Sequence, residues 1–115
     1  MAATRGSASR AASAKLARAV QEIEPHAMKA AELLKALANE QRLMILCHLV
    51  QGPLSVGQLN ERVTLSPSAL SQHLAVLRES GTVRTRRESQ TIWYSLPEGV
   101  VTRLIAVLHD EFCRR

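Results

Sequence analysis

The sequence predicts a mostly α-helical domain carrying a small β-hairpin, and three observations predict it. Apolar residues recur at helical spacing between residues 27 and 50. The pair Ser66-Pro67 opens a further helix with Leu70, Leu74 and Leu77 on one side. From Val83 to Leu96 the apolar period drops to two. With 115 residues the chain is long enough to bury one core and too short for two.

Residues 1–25 read as a flexible basic arm, and residues 26–115 as the folded domain. The first 20 residues hold Arg5, Arg10, Lys15 and Arg18, no acid and no apolar period, and are rich in Ser and Ala. Mitochondrial transit peptides share that composition, but the arm is the preferred reading.

The first helix, 27–38, places Met28, Ala31, Leu34 and Leu37 on one face. Ala30, Leu33 and Ala36 lie close beside it, making the apolar face wider than one buried stripe needs. Asn39 is a natural cap for a second helix, 40–50, with Leu43, Leu46, Cys47 and Val50 together, and Gly52-Pro53 stops it. Ser55 caps a short third helix carrying Val56, Leu59 and Val63, and Thr64-Leu65 is the connection. Ser66-Pro67 then starts the fourth helix, which Gly81 ends after about Ser80.

In the period-two stretch, Ile92, Tyr94 and Leu96 share one face, Trp93 and Ser95 the other. Arg87-Glu88-Ser89-Gln90 is the expected hairpin tip, although it lacks the usual Asn-Gly. The last helix, from about Pro97 to Cys113, has Val101, Leu104, Ile105, Val107, Leu108 and Phe112 and is apolar over more than half its circumference. A short helix, a tight turn, a longer capped helix and then a hairpin make a winged helix-turn-helix.

Composition narrows the function. Three aromatics, Trp93, Tyr94 and Phe112, are too few for modules that stack bases on aromatic platforms. No strictly apolar run exceeds five residues, against the roughly twenty of a membrane helix. A Gly-rich phosphate loop and a His-Glu-x-x-His motif are both absent, so an enzyme is disfavoured, as are a cofactor and a metal. The formal charge of +5 favours a polyanionic partner. Two cysteines without Cys-x-x-Cys spacing, and no apolar signal core ahead of the domain, point to a reducing cytoplasm.

In a helix-turn-helix the second helix enters the major groove by its N-terminal residues, which must be polar and short enough to reach base edges. Ser66, Ser68, Ser71, Gln72 and His73 crowd that end here, and Arg84, Arg86 and Arg87 follow in the hairpin. These eight residues are the expected contacts to double-stranded DNA, although capping and solvation alone would also account for the polar residues.

The run ELLKALANEQRLMILCHLVQGPLSVGQLNERVTLSPSALSQHLAVLRESGTVRTRRESQTIWYSL resembles the ArsR-type winged-helix repressors. The most specific pieces are LANEQRLMIL, SALSQHLAVLRESG and the closing IWYSL, and the likeness extends over roughly residues 28–113. It implies a homodimer through the first and last helices, an inverted-repeat operator, and repression relieved by an inducer. Two helices too apolar for a monomer suit that dimer independently.

The inducer site varies within that family. The arsenic- and cadmium-type Cys-x-Cys is missing from VGQLNERV, and of the zinc-type ligands on the last helix only His109 and Asp110 remain, at the wrong spacing. Cys47 and Cys113 instead resemble the pair of the persulfide-responsive branch, in which two such cysteines become joined by a sulfur bridge. Reactive sulfur species, persulfides and polysulfides, are the implied inducer.

The residues themselves leave alternatives. Cys47 on an apolar helix face is equally an inert buried thiol, and a helix C-terminus opposes a thiolate at Cys113 while Arg114 and Arg115 favour one. Cys47, His48, His109 and Cys113 form a permitted zinc set, although adjacent residues diverge by about 100° on a helix. A small thiol redox enzyme and a protein-interaction module complete the alternatives.

Overall fold

The computed structural model describes residues 6–113. The chain divides into two compact units, residues up to Glu32 and residues from Leu33 onward. Its elements are α1 (Gly6–Ile23), a 3₁₀ turn (Glu24–His26), α2 (Ala27–Leu37), α3 (Glu40–Leu49), β1 (Leu54–Ser55) and α4 (Val56–Arg62). After these come α5 (Pro67–Glu79), β2 (Arg84–Glu88), β3 (Thr91–Ser95) and α6 (Val100–Cys113).

The first departure from the sequence reading is α1. Gly6–Ile23 is helical, where the sequence reading placed a flexible arm and no helix, with residues 1–5 outside the described residues. Ala11, Ala12, Ala14, Lys15, Ala17 and Arg18 are strong helix formers, and Leu16, Val20 and Ile23 make a narrow stripe that the reading missed. Every side chain from Arg10 to Lys29 is exposed, so propensity rather than packing supports this helix.

Within the second unit the caps fall where the sequence placed them. The Asn39 side chain accepts from the Arg42 backbone N–H at 3.0 Å and starts α3. Ser55 and Gln58 form a reciprocal capping box at α4, and Ser66 Oγ accepts from Ala69 N–H at 3.1 Å to start α5. The core gathers Ile45, Leu46 and Leu49 of α3, Leu59 of α4 and Leu70, Leu74 and Leu77 of α5, closed by Val83, Tyr94 and Val101.

Polar side chains pin the joints. Arg42 Nε donates to Ala36 O at 2.6 Å and its Nη2 to Lys35 O at 3.4 Å, tying the open carbonyls of α2 to α3. Asn60 Nδ2 donates to Leu65 O at 2.8 Å, which holds the turn between α4 and α5. The buried Thr82 hydroxyl donates to Leu77 O at 3.0 Å beyond Gly81, whose φ of +77° ends α5.

The hairpin and the helix after it differ from the sequence reading in three ways. A third strand, β1, pairs antiparallel with β3 through Leu54 and Tyr94, giving the order β1-β3-β2. Two residues next to a helix cap carry no period and were hidden in the sequence. Arg87 and Glu88, expected at the tip, instead lie in β2 opposite Ile92 and Thr91. The tip shrinks to Ser89-Gln90, with Ser89 supplying the positive φ (+57°) that tight hairpin loops need at their first position. Finally, α6 starts at Val100 rather than near Pro97, because Gly99 with φ +121° interrupts any earlier helical turn.

Candidate nucleic-acid interface and cysteine cleft

Helix α5 turns Leu70, Leu74 and Leu77 into the core, and at about 100° per residue this aims Ser68 and Gln72 directly outward. Both are exposed, as is Ser71 to one side, while His73 at the opposite edge is half-buried. Ser66 is exposed but occupied as the cap and lies 3.4 Å from Ser68 Oγ. The end of α5 therefore presents Ser68, Ser71 and Gln72 as the freest polar groups, beside a helix N-terminus that favours phosphate.

The three wing arginines do not form one patch. Directly opposed residues of an antiparallel pair share a face. Arg84 and Arg86 lie with Ser95 and Trp93 on one side, and Arg87 lies with Ile92 on the side of buried Tyr94. Arg86 Nη2 is 3.3 Å from Glu88 Oε2, an exposed pair worth little but one that partly neutralises Arg86. Arg78 of α5 donates from Nη1 to Tyr94 Oη at 3.3 Å, a link from the reading helix to the wing that spacing alone did not reveal.

Cys47 and Cys113, 66 positions apart, line one cleft of about 610 Å³ between α3 and α6. Leu43, Val50, Ile105, Leu108 and Phe112 make its walls, with Thr102, Ala106, His109 and Asp110 completing the lining. Both thiols are free; Cys47 is half-buried and Cys113 exposed. Burial pushes the Cys47 thiol above its ordinary pKa, so at neutral pH it is the protonated, slower nucleophile. Among the described residues no three His, Cys, Asp or Glu side chains gather into a set that could hold a metal. The zinc set of Cys47, His48, His109 and Cys113 is thus not assembled within the chain.

A second, smaller apolar groove of about 240 Å³ lies between Leu34 and Leu37 of α2 and Leu104, Val107 and Leu108 of α6. On α6, Leu104 and Val107 point roughly opposite to Thr102, His109 and Cys113. One helix thus borders two adjoining surfaces, which meet at Leu43 and Leu108. No helix among the described residues is long and apolar enough to cross a membrane.

Helix-turn-helix, capped reading helix and basic wing match known proteins closely. The sequence model described as "Bacterial regulatory protein, arsR family" matches residues 39–85, from the α3 cap into β2. The chain is 53% identical to the transcriptional activator HlyU of Vibrio cholerae, over 83% of this chain and 88% of that protein. A structure of reduced HlyU from the same organism has 54% identity and a TM-score of 0.73, covering 81% of this chain and 98% of the other. The transcriptional repressor BigR from Xylella fastidiosa has a TM-score of 0.75 at 42% identity, over 83% and 97% of the two chains. The homodimeric winged helix-turn-helix DNA-binding domain of Mb0332 from Mycobacterium bovis has a TM-score of 0.68 at 32% identity, over 74% and 79%.

Fold, interface and relatives define a DNA-binding transcriptional regulator of the winged helix-turn-helix class, and not an enzyme. The chain belongs to the ArsR family of bacterial regulatory proteins.

Proposed function

We propose that this regulator is a homodimeric repressor of an inverted-repeat operator, released when reactive sulfur species join Cys47 to Cys113. One observation carries the switch: the only two cysteines, far apart in sequence, share an apolar cleft between the second and last helices of the folded unit. Relatives include both an activator and a repressor, and repression relieved by covalent release is the proposed mode.

The dimer reading rests on apolar surface that one chain leaves open. Leu34 of α2 and Val107 of α6 are 55% and 61% exposed and line one groove. Exposed apolar surface of this kind marks an interaction face, and a relative of this fold is homodimeric. Twofold pairing across α2 and α6 sets two α5 helices about one DNA turn (~10 bp), or a multiple of it, apart. Ser66, Ser68, Ser71, Gln72 and His73 would then meet base edges and nearby phosphate, and Arg84, Arg86 and Arg87 the backbone.

The covalent step balances without an outside oxidant. Exposed Cys113 attacks the sulfane sulfur of a persulfide RSSH and becomes Cys113–S–SH, releasing RSH. Cys47 then attacks the inner sulfur, closing a disulfide and releasing H₂S; two persulfidated cysteines would close a trisulfide, again with H₂S. A direct disulfide needs Cα atoms within about 7 Å, and added sulfur lengthens the reach. The bridge lowers DNA affinity insofar as it fits the DNA-competent dimer worse than the free thiols do.

The test is a DNA titration of wild type, Cys47→Ser and Cys113→Ser, each with and without persulfide. All three should bind when reduced, and only wild type should be released. Release of either variant at the wild-type dose rules out the bridge, and release by stoichiometric zinc supports a metal instead.

A further inference from the structure

The bond between Arg78 and Tyr94 joins the two elements proposed to meet DNA, α5 and the wing, and its role rests on that reading. We infer that Arg78 is a positioning residue. Through the Tyr94 hydroxyl it sets the angle of the β2–β3 ribbon against α5, so that the wing arginines reach the backbone of the DNA that α5 contacts.

Tyr94 stands at the base of the wing. It is 5% exposed and pairs with Leu54 of β1 on one side and Thr85 of β2 on the other, so all three strands meet there. Strand β1 ends with Ser55 opposite Trp93. Beyond that level the sheet narrows to two strands, with Arg87 against Ile92 and Glu88 against Thr91. A two-stranded ribbon has little stability of its own and takes its direction from its base. Arg87 leaves this ribbon on the same face as Tyr94.

Most groups at the base are apolar. Leu54, Val83 and the Tyr94 ring pack in the core cluster, and such contacts are non-directional. A hydrogen bond is directional, weakening steeply as its angle departs from linear. Arg78 Nη1 donates to Tyr94 Oη at 3.3 Å, and among the described residues this is the one side-chain hydrogen bond from α5 to a strand. Arg78 lies in the last turn of α5, where the helix C-terminus favours a cation.

The turn from α5 to β2 is held separately, by the Ser80 and Thr82 hydroxyls donating to Leu77 O. That turn ties α5 to the edge strand β2, whereas Arg78 ties it to the middle strand β3. Two attachments to α5, one at the edge and one at the centre, define an angle that a single one leaves free. Leverage makes this angle matter. From Thr85 to the tip at Ser89 the strand extends about 13 Å, at roughly 3.3 Å per residue. A tilt of about 10° at the base moves the tip by ~2 Å, well beyond the ~0.5 Å spread of good hydrogen-bond distances to phosphate.

Removing the Tyr94 hydroxyl alone isolates this role. Tyr94→Phe keeps the ring in the core and the charge on Arg78. The probe is a fluorescein-labelled duplex of mixed sequence, about 40 base pairs long, because phosphate contacts do not read sequence. Wild type, Tyr94→Phe, Arg78→Ala and Arg87→Ala are titrated by anisotropy over a range of salt. Arg78→Ala and Arg87→Ala are also each combined with Tyr94→Phe, and urea midpoints are measured alongside.

Tyr94→Phe should weaken binding about three- to tenfold and lower the salt slope by up to about one unit. Lost fold stability alone does not change the number of ionic contacts and so does not move that slope. Arg87→Ala should cost less in the Tyr94→Phe background than in wild type, and Arg78→Ala should add little there, because the wing is already released. Wild-type affinity and slope for Tyr94→Phe, with Arg87→Ala weakened, overturns the positioning role alone. An Arg78→Ala loss of equal size with and without the Tyr94 hydroxyl also overturns it and makes Arg78 a direct DNA contact. No loss for Arg87→Ala in the wild-type background overturns the wing reading itself, and the positioning role with it.

Discussion

Helices α5 and α6 are nearly equal in length, 13 and 14 residues, and the more apolar of the two is the less buried. Helix α5 sends three leucines into the core, each at most 1% exposed. Helix α6 buries Val101 and leaves Val107, Leu108 and Phe112 at 61%, 37% and 79% exposure. A helix proposed to hold polar side chains against base edges has to be fixed by its own subunit. A helix proposed to pair subunits and to wall a ligand cleft has to keep apolar surface in reserve. Apolar content therefore reports on α5 what the chain buries and on α6 what it leaves for others.

The largest expected effect tests the buried side of that contrast. Leu74→Ala should cost about 2–5 kcal/mol of unfolding free energy, because the leucine is enclosed on all sides. Phe112→Ala should cost no more than about 0.5 kcal/mol in the monomer despite removing a larger group. Urea denaturation at low protein concentration measures both, and similar losses would erase the distinction between the helices.

Next in size is the reserve surface. Val107→Glu should leave the circular dichroism spectrum unchanged while weakening self-association at least about tenfold, since a charge enters the pairing face from each subunit. Sedimentation equilibrium measures it, and an unaltered dimer would move the interface away from the α2–α6 groove.

The polar face of α5 comes third. Gln72→Ala should weaken operator binding by about 1–3 kcal/mol with little effect on random DNA. Arg87→Ala should weaken both and reduce the salt slope by roughly one unit. Salt-dependent fluorescence titrations separate them, and equal losses on both DNAs for both variants would show that α5 anchors rather than reads.

The smallest effect comes from the thiol between the helices. Burial raises the Cys47 pKa in the folded state, so the unfolded chain gives up this proton first as pH rises. Between the unfolded and folded pKa values the native state binds more protons, and stability falls with increasing pH. Stability of wild type should therefore decline slightly more than that of Cys47→Ser above the ordinary thiol range. Parallel slopes in urea denaturation across that range would place Cys47 in a more solvated setting.

Local chemistry made much of this molecule readable. Asn39, Ser55 and Ser66 are caps because their short side chains accept the first free N–H groups, a property that needs only neighbours in sequence. The leucines of α5 and the alternation around Tyr94 follow from periodicity in the same way. The α1 helix was missed because its support is propensity without burial, and a search for a buried face overlooks that signal.

What lay beyond the sequence is whatever depends on residues meeting across the fold. Strand β1 exists because Leu54 and Ser55 find Tyr94 and Trp93, about forty positions away by the extended reach of the chain. The Arg42 clamp on α2 and the Arg78 link to Tyr94 are likewise contacts between elements, with no spacing rule to announce them. The three wing arginines, close together in sequence, were separated by the sheet register, Arg87 on one face and Arg84 and Arg86 on the other. The cysteines went the other way. Sequence supplied their number and the family likeness paired them, whereas their common apolar cleft, with Asp110 as its charged lining, came from the packing of α6 across α3. Composition, caps and periods are properties of short segments, and the chain carries them openly; a cleft is made of two walls, and only folding brings the second wall to the first.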